Sequence, residues 1–125
     1  KNRQIKMKIF ITSIAMMFSI VTSAQTQLTK VPQSGVVVVE FNAAWNSTTP
    51  NVKWLTSLSD CKTGQLLICT HPKYQTKYKI VVVPTIVVFK DGVEHSRHQA
   101  DIMMKMIHTQ EELQKAVDDA QMDGF

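Results

Sequence analysis

The sequence has no excess of charge once its first eight residues are set aside. The formal net charge of +4 comes wholly from Lys1, Arg3, Lys6 and Lys8, and from Gln25 onward ten Lys and Arg residues balance ten Asp and Glu residues. Because a nucleic-acid-binding domain carries a clustered basic footprint, we expect no nucleic-acid partner. The chain also lacks repeats and linkers, and 125 residues with 44% apolar composition suit one domain and are too few for two.

Cysteine is scarce as well, since the sequence contains only Cys61 and Cys69. The second lies in the apolar run "QLLICT", which is typical of a strand, and the first precedes a turn that leads into that run. If most of the chain between them is extended at about 3.3 Å per residue, the two Cα atoms lie far beyond the roughly 4.4–6.8 Å that a disulfide allows. We therefore predict two free thiols, and interpret each as a small buried hydrophobic side chain.

The longest apolar run, "IFITSIAMMFSIV" from Ile9 to Val21, is short for a membrane span. Basic residues precede it, and "TSAQ" follows with small residues Thr22 and Ala24 where a signal peptidase reads. This pattern predicts a secretory leader over residues 1–24, an exported (periplasmic or extracellular) mature chain, and no stable membrane insertion after leader removal. An alternative interpretation makes residues 21–31 a first strand and a short helix of the folded domain.

The first half of the remaining chain has the pattern strand, loop, helix, strand. The β-branched run "VVVVEF", Val36–Phe41, is typical of a strand that is buried on both faces in a parallel sheet. A helix is predicted to follow, and "QLLIC" after Gly64 is predicted as a second strand parallel to the first. The residues that predict this helix are Thr48 or Thr49 as N-cap, Pro50 in the first turn, and the apolar Trp54, Leu55 and Leu58.

The second half has a short helix near Pro72, then two strands and a last helix. Pro84 stands between two β-branched runs, which marks either the first position of a strand or a cis peptide bond. Asp-Gly at 91–92 predicts a hairpin, and Thr109 with Glu112 predicts a capping box at the start of the last helix. We expect the apolar stripe of that helix to face the core; its residues are Leu113, Ala116, Val117 and Ala120. We also expect the methionines of "IMMKM" to fill the core.

The order β-α-β-α-β-β-α and three local motifs resemble thioredoxins. The motifs are "VVVVEFNAAW", "HPKYQTKYKIVVVPT" and "FKDGVE", which together cover most of the chain from about Val36 to Glu94. The resemblance implies an α/β thioredoxin fold over residues 25–125, with a central mixed β-sheet flanked by helices and a cis-proline loop before Thr85.

The resemblance also shows what the chain lacks. Thioredoxins carry Cys-x-x-Cys directly after the Trp, and those positions here are Asn46 and Thr49. Neither side chain can form a mixed disulfide, so we expect no dithiol exchange of the thioredoxin kind and no cofactor. Glu40 matches the buried acid that assists proton transfer in the family; with no thiol above it, we expect it simply to bond a neighbouring side chain or water.

Without the dithiol, the function that the resemblance to thioredoxins still implies is peptide binding in a groove. In thioredoxins the Trp, the loop after it and the residues around the cis-proline form a groove in which an extended peptide pairs with backbone groups. The matching positions are Trp45, Asn46, Ser47, Val83, Pro84 and Thr85. We therefore predict non-covalent binding of peptide or protein clients.

Two other functions stay open. Cys69, near the carboxyl end of its strand, is a candidate for mixed disulfides with a partner or with glutathione, although no resolving cysteine is near it in sequence. The hairpin edge or "IMMKM" is a candidate interface of an assembly module.

Hydrolase and metal chemistry are not predicted. Ser47 lacks the Gly-x-Ser-x-Gly elbow of a hydrolase nucleophile. We predict no metal site, because no cysteine or acidic residue gives a convincing ligand spacing with the histidines, which are His71, His95, His98 and His108.

Overall fold

A computed structural model describes residues 26–46 and 52–122 of the chain. The predicted leader lies outside these ranges. The described strands are β1 (Val36–Asn42), β2 (Lys62–Leu67), β3 (Thr85–Lys90) and β4 (Val93–Gln99). The helices are α1 (Pro72–Lys77), α2 (Gln110–Met122) and two 3₁₀ helices, Ala44–Asn46 and Lys53–Ser57.

The four strands form one mixed sheet in the order β2-β1-β3-β4. β2 is parallel to β1, whereas β3 is antiparallel to both β1 and β4. Every residue of β1 is buried, because apolar clusters cover both faces of the sheet. Phe41 packs on one face with Tyr74 of α1, and Val38 packs on the other with Leu113 of α2. The predicted α/β architecture, a mixed sheet flanked by helices, is confirmed.

The second strand begins earlier than the sequence predicts. Its ladder with β1 runs from Lys62 to Leu67, so the turn expected between Cys61 and the apolar run is wrong. Gly64 fits inside the strand because the side chain of Leu28 covers it; a Cβ atom there would lie 2.6 Å from Leu28 Cγ. The strand also ends earlier, and Cys69 lies in the turn that follows it. The two cysteines therefore stand beyond opposite ends of β2, and both are free thiols as predicted.

The first helix is present in its described part as the 3₁₀ helix Lys53–Ser57. Leu55 and Leu58 are buried as the pattern predicts, and Trp54 packs against the same cluster. The predicted caps at residues 48–50 lie outside the described residues.

The hairpin and the last helix follow the sequence pattern. Asp91 and Gly92 both have positive φ, 51° and 82°, in the two-residue turn between β3 and β4. The N–H of Glu112 donates to Thr109 Oγ1 at 3.2 Å, which is half of the predicted capping box, and the core-facing stripe of α2 is buried. No helix in the described ranges is long and apolar enough to cross a bilayer.

Candidate functional site

An apolar groove of about 220 Å³ lies beside the end of β1. Five chain segments form it: the 3₁₀ turn after β1, the turn after β2, α1, the segment that leads into Pro84, and the loop after β4. Its lining contains no charged side chain and consists of Trp45, Ile68, Gln75, Ile80, Val81, Val82, Val83, Ile102 and Met104. The groove thus joins the two parts of the predicted site, Trp45 and the proline loop.

Trp45 lies in a turn that the side-chain amides of Asn42 and Asn46 stabilise by hydrogen bonds. The buried Asn42 accepts a hydrogen bond from Ala43 N at 2.8 Å and another from Asn46 Nδ2 at 3.0 Å, both on Oδ1. Asn46 N donates to Ala43 O at 3.0 Å and closes the turn. Asn46 is only 2% exposed, whereas Trp45 is 64% exposed. Asn46, predicted as a groove residue, therefore supports the turn, and Trp45 presents the surface.

The proline loop lines the groove through Val82 and Val83. The Val83–Pro84 peptide bond is cis, and Pro84 O accepts from Ala100 N at 3.0 Å. Thr85 is fully buried and its hydroxyl donates to Val82 O at 2.6 Å, so it fixes the loop and does not line the groove. Within residues 26–46 and 52–122, no backbone hydrogen bond uses the N–H or C=O of Val83. Ser47 lies outside the described residues.

The loop after β4 adds a wall that the sequence did not predict. Ile102, Met103 and Met104 are exposed, so the interpretation of these methionines as core filler is wrong; Met106 alone packs partly against the core. A tight turn holds the loop, because Asp101 Oδ1 accepts hydrogen bonds from two backbone N–H groups, those of residues 103 and 105, at 2.9 Å each.

Cys69 lies next to the Trp45 turn. It is exposed, so its interpretation as a buried core side chain is wrong, and its sulfur accepts a hydrogen bond from Ala44 N at 3.2 Å. The exposure follows from the early end of β2, which leaves Cys69 in a turn at the edge of the site. Cys61 has a less reactive environment. Burial raises the pKa of its thiol to about 11, with smaller contributions from the charges of Asp60 and Asp118.

Glu40 forms hydrogen bonds beneath the turn, as predicted. It is fully buried, and its two carboxylate oxygens accept from Asn42 Nδ2 at 3.2 Å and from Gln65 Nε2 at 3.3 Å. Since Asn42 in turn bonds Asn46, the acid is connected to the Trp45 turn through one intervening amide. Its role here is to hold polar side chains in a buried layer.

Three side chains come together where the last residues of β4 meet the start of α2. His98, His108 and Glu112 each offer one ligand atom within 4.8 Å of the others. Burial lowers the pKa of His98, helped by His108 and opposed by Glu112. The hydrogen bond from His108 lowers the pKa of the Glu112 carboxyl group. In the sequence, only the four-residue spacing of His108 and Glu112 indicates that two of these side chains are neighbours. His98 reaches them only through the folding of the sheet.

Sheet, groove and proline loop together define a thioredoxin-fold protein whose tryptophan is followed by an asparagine. Solved structures with this fold include a mutant thioredoxin from Halobacterium salinarum, with 17% identity over 79% of this chain and 96% of that chain and a TM-score of 0.57. A mutant Entamoeba histolytica thioredoxin is similar, with 18% identity over 77% of this chain and 99% of that chain and a TM-score of 0.56.

Oxidized mitochondrial thioredoxin 3 from Saccharomyces cerevisiae has 20% identity over 76% of this chain and 94% of that chain, with a TM-score of 0.53. The likeness shows the thioredoxin fold that the sequence motifs predict. Neither protein-family models nor curated proteins give a match to the chain.

Proposed function

We propose that the mature protein is exported and binds an extended, apolar peptide segment of a partner protein without forming a covalent bond. The observation that carries this proposal is that an exposed Trp45 and Val83 of the proline loop line one uncharged groove. Export rests on the leader pattern of residues 1–24. It is tested by N-terminal sequencing of the chain recovered outside the cytoplasm, which should begin at Gln25.

The backbone of Val83 supports an extended ligand in particular. A peptide that pairs with this N–H and C=O adds a short strand beside the loop, the mode of recognition in which main-chain bonds give affinity and pockets give specificity. No backbone group of the described residues competes for either position.

The size of the groove supports a single side chain as its occupant. Pockets for cofactors and drug-sized ligands measure about 300–1,000 Å³, and this groove of about 220 Å³ lies below that range. Its walls are aliphatic and aromatic, so the favoured occupant is one apolar side chain of the bound segment. Because no charged side chain lines the groove, we expect affinity to change little with ionic strength.

Dithiol exchange is not part of the proposal. A disulfide is exchanged by a thiolate through a mixed disulfide, which a second thiol then resolves. The sequence contains no Cys-x-x-Cys, and Asn46 occupies the position directly after Trp45. We expect no disulfide turnover by the purified domain.

The binding proposal is tested by titrating the mature chain with a panel of unstructured peptides that each carry one Leu or Phe among Gly and Ser. The Trp54→Phe background leaves Trp45 as the only tryptophan, so its fluorescence reports the groove. We expect Trp45→Ala, followed by calorimetry, to weaken binding by at least about tenfold, as is usual for an aromatic hot spot. The matched control is Met122→Ala, an equally exposed apolar side chain of α2 outside the groove lining.

Two results would count against groove binding. One is affinity that survives Trp45→Ala, and the other is affinity that Met122→Ala reduces to the same extent. Retention of binding in Cys69→Ser is also required, since the proposal involves no thiol.

Cys69 supports a second candidate function, because it is exposed and bonded to the Trp45 turn. In this function the Cys69 thiolate attacks a partner disulfide, one sulfur joins Cys69 and the other leaves as a thiolate. A covalent adduct with glutathione disulfide, seen by mass spectrometry in the native chain and lost in Cys69→Ser, supports it. A Cys69 that reacts only after the chain is unfolded rules it out.

A further inference from the structure

A cluster of two histidines and one glutamate joins the edge strand to the start of the last helix. His98 lies next to the last residue of β4, His108 lies two residues before α2, and Glu112 lies in the first turn of α2. One nitrogen or carboxylate oxygen from each lies within 4.8 Å of the others. The two rings meet edge to face with centroids 5.1 Å apart, and His108 Nδ1 lies 2.8 Å from Glu112 Oε2.

Local structure positions all three side chains. His98 pairs with Ile86 across the ladder between β3 and β4, and the rigid sheet fixes its backbone. Its Nε2 lies 3.1 Å from Ser96 Oγ, a contact that orients the ring. The N–H of Glu112 donates to Thr109 Oγ1, which fixes the first turn of α2 and sets the carboxylate beside His108.

We propose that His98, His108 and Glu112 bind a divalent transition-metal ion, with Zn²⁺ as the best fit, where β4 meets the start of α2. Two imidazoles and one carboxylate are a donor set that suits Zn²⁺, whereas Ca²⁺ and Mg²⁺ prefer shells of oxygen ligands. A further position on the ion is left for water. This site is separate from the peptide groove, and the two proposals stand or fall independently.

The distances agree with a site that closes on its ion. Ligand bonds of about 2.0–2.1 Å in a tetrahedral site put the ligand atoms about 3.3 Å apart. The largest separation in the cluster is within 4.8 Å, so side-chain rotations alone bring the three atoms together. His108 Nδ1 and Glu112 Oε2 already lie 2.8 Å apart, so two of the candidate ligands are in contact before an ion binds.

A hydrogen-bonding contact to one of the histidines also fits a metal site. Metal-bound histidines commonly have a hydrogen-bond partner that orients the ring, and the hydroxyl of Ser96 lies 3.1 Å from His98 Nε2. Because His98 belongs to the sheet and the other two ligands belong to the start of α2, a bound ion cross-links the edge strand to the last helix. We therefore expect Zn²⁺ to raise the Tm of the chain.

The test is calorimetric titration of the tag-free chain with Zn²⁺ at pH 7.5, with Co²⁺ absorption as a spectroscopic readout of the ligand geometry. We expect one ion per chain and a Tm that rises with Zn²⁺ concentration. His98→Ala and Glu112→Gln should each weaken binding by at least about tenfold, since loss even of an outer contact costs that much. Glu112 is exposed, so its variant keeps the fold and remains informative if His98→Ala does not fold.

His71→Ala and Cys69→Ser are the controls, because both side chains can also bind Zn²⁺ but follow β2, at the opposite edge of the sheet. Unchanged affinity in both controls is required. Absence of a one-to-one complex at millimolar Zn²⁺, affinity that neither His98→Ala nor Glu112→Gln reduces, or affinity lost in the Cys69→Ser chain would each overturn the site.

Discussion

Replacement of Cys69 by serine leaves Cys61 as the sole thiol, and we expect it to react slowly with disulfide reagents. Burial and the charges of Asp60 and Asp118 raise the pKa of Cys61 to about 11. At pH 8 such a thiol is roughly 0.1% thiolate, against roughly 24% for an unstructured cysteine with a pKa of about 8.5. The more basic thiolate is a better nucleophile by roughly 13-fold at a Brønsted coefficient of about 0.45, so the net rate is about 20-fold lower.

The assay is the rate of reaction of the folded Cys69→Ser chain with an aromatic disulfide at pH 8. The same chain in denaturant, corrected with a cysteine peptide in both solvents, gives the unstructured rate. The Asp118→Asn variant should react faster than its parent, since it removes one of the charges that raise the pKa. Equal rates for folded chain and peptide would refute the buried environment assigned to Cys61, and with it the assignment of native thiol reactivity to Cys69 alone.

Three further predictions concern stability. The pKa of Cys61 is raised to about 11 in the folded state, so its contribution to stability is complete below the pKa of an unstructured cysteine, about 8.5, and is lost as the pH rises toward the folded value. Thermal melts should therefore show a steeper loss over this window for the Cys69→Ser chain than for the same chain with Cys61→Ala. Leu113→Ala should cost about 2–5 kcal/mol in urea unfolding, since Leu113 is fully buried, whereas Met122→Ala should stay within about 0.5 kcal/mol; equal costs would contradict the packing of α2. Gly92→Ala should cost about 1 kcal/mol or more by the same assay, because its φ is 82°, and an unchanged midpoint would contradict that turn.

The fold was predictable because local patterns and global topology agree. The unbroken β-branched run that ends at Phe41 indicates a strand with both faces covered, and β1 is wholly buried. Asp-Gly at 91–92 has the two positive φ values that its hairpin turn requires. The stripe of α2, which includes Leu113 and Val117, is regular enough to identify its buried side.

The site was less predictable, because it depends on where strands end and which way loops turn. Nothing in "QLLICT" shows that the ladder stops at Leu67 and leaves Cys69 exposed; that end is set by pairing with Asn42 of β1. Asn46 matches a groove position in sequence but turns inward, because Asn42 offers a buried acceptor.

Residues distant in sequence were also hard to combine. Met104 resembles core filler in composition, yet a turn built on Asp101 carries it to the groove. His98 comes within reach of Glu112 only after the edge strand and the last helix pack on the same sheet.

Hydrogen exchange at the Val83 amide tests the central claim most directly. Groove binding by strand addition requires the Val83 N–H to donate to the bound segment, so a saturating apolar peptide should slow its exchange by at least about tenfold, equivalent to about 1.4 kcal/mol of protection. The same slowing should occur in the Cys69→Ser chain and be clearly smaller in Trp45→Ala at the same peptide concentration. A peptide that binds while Val83 exchanges at its free rate would contradict the claim.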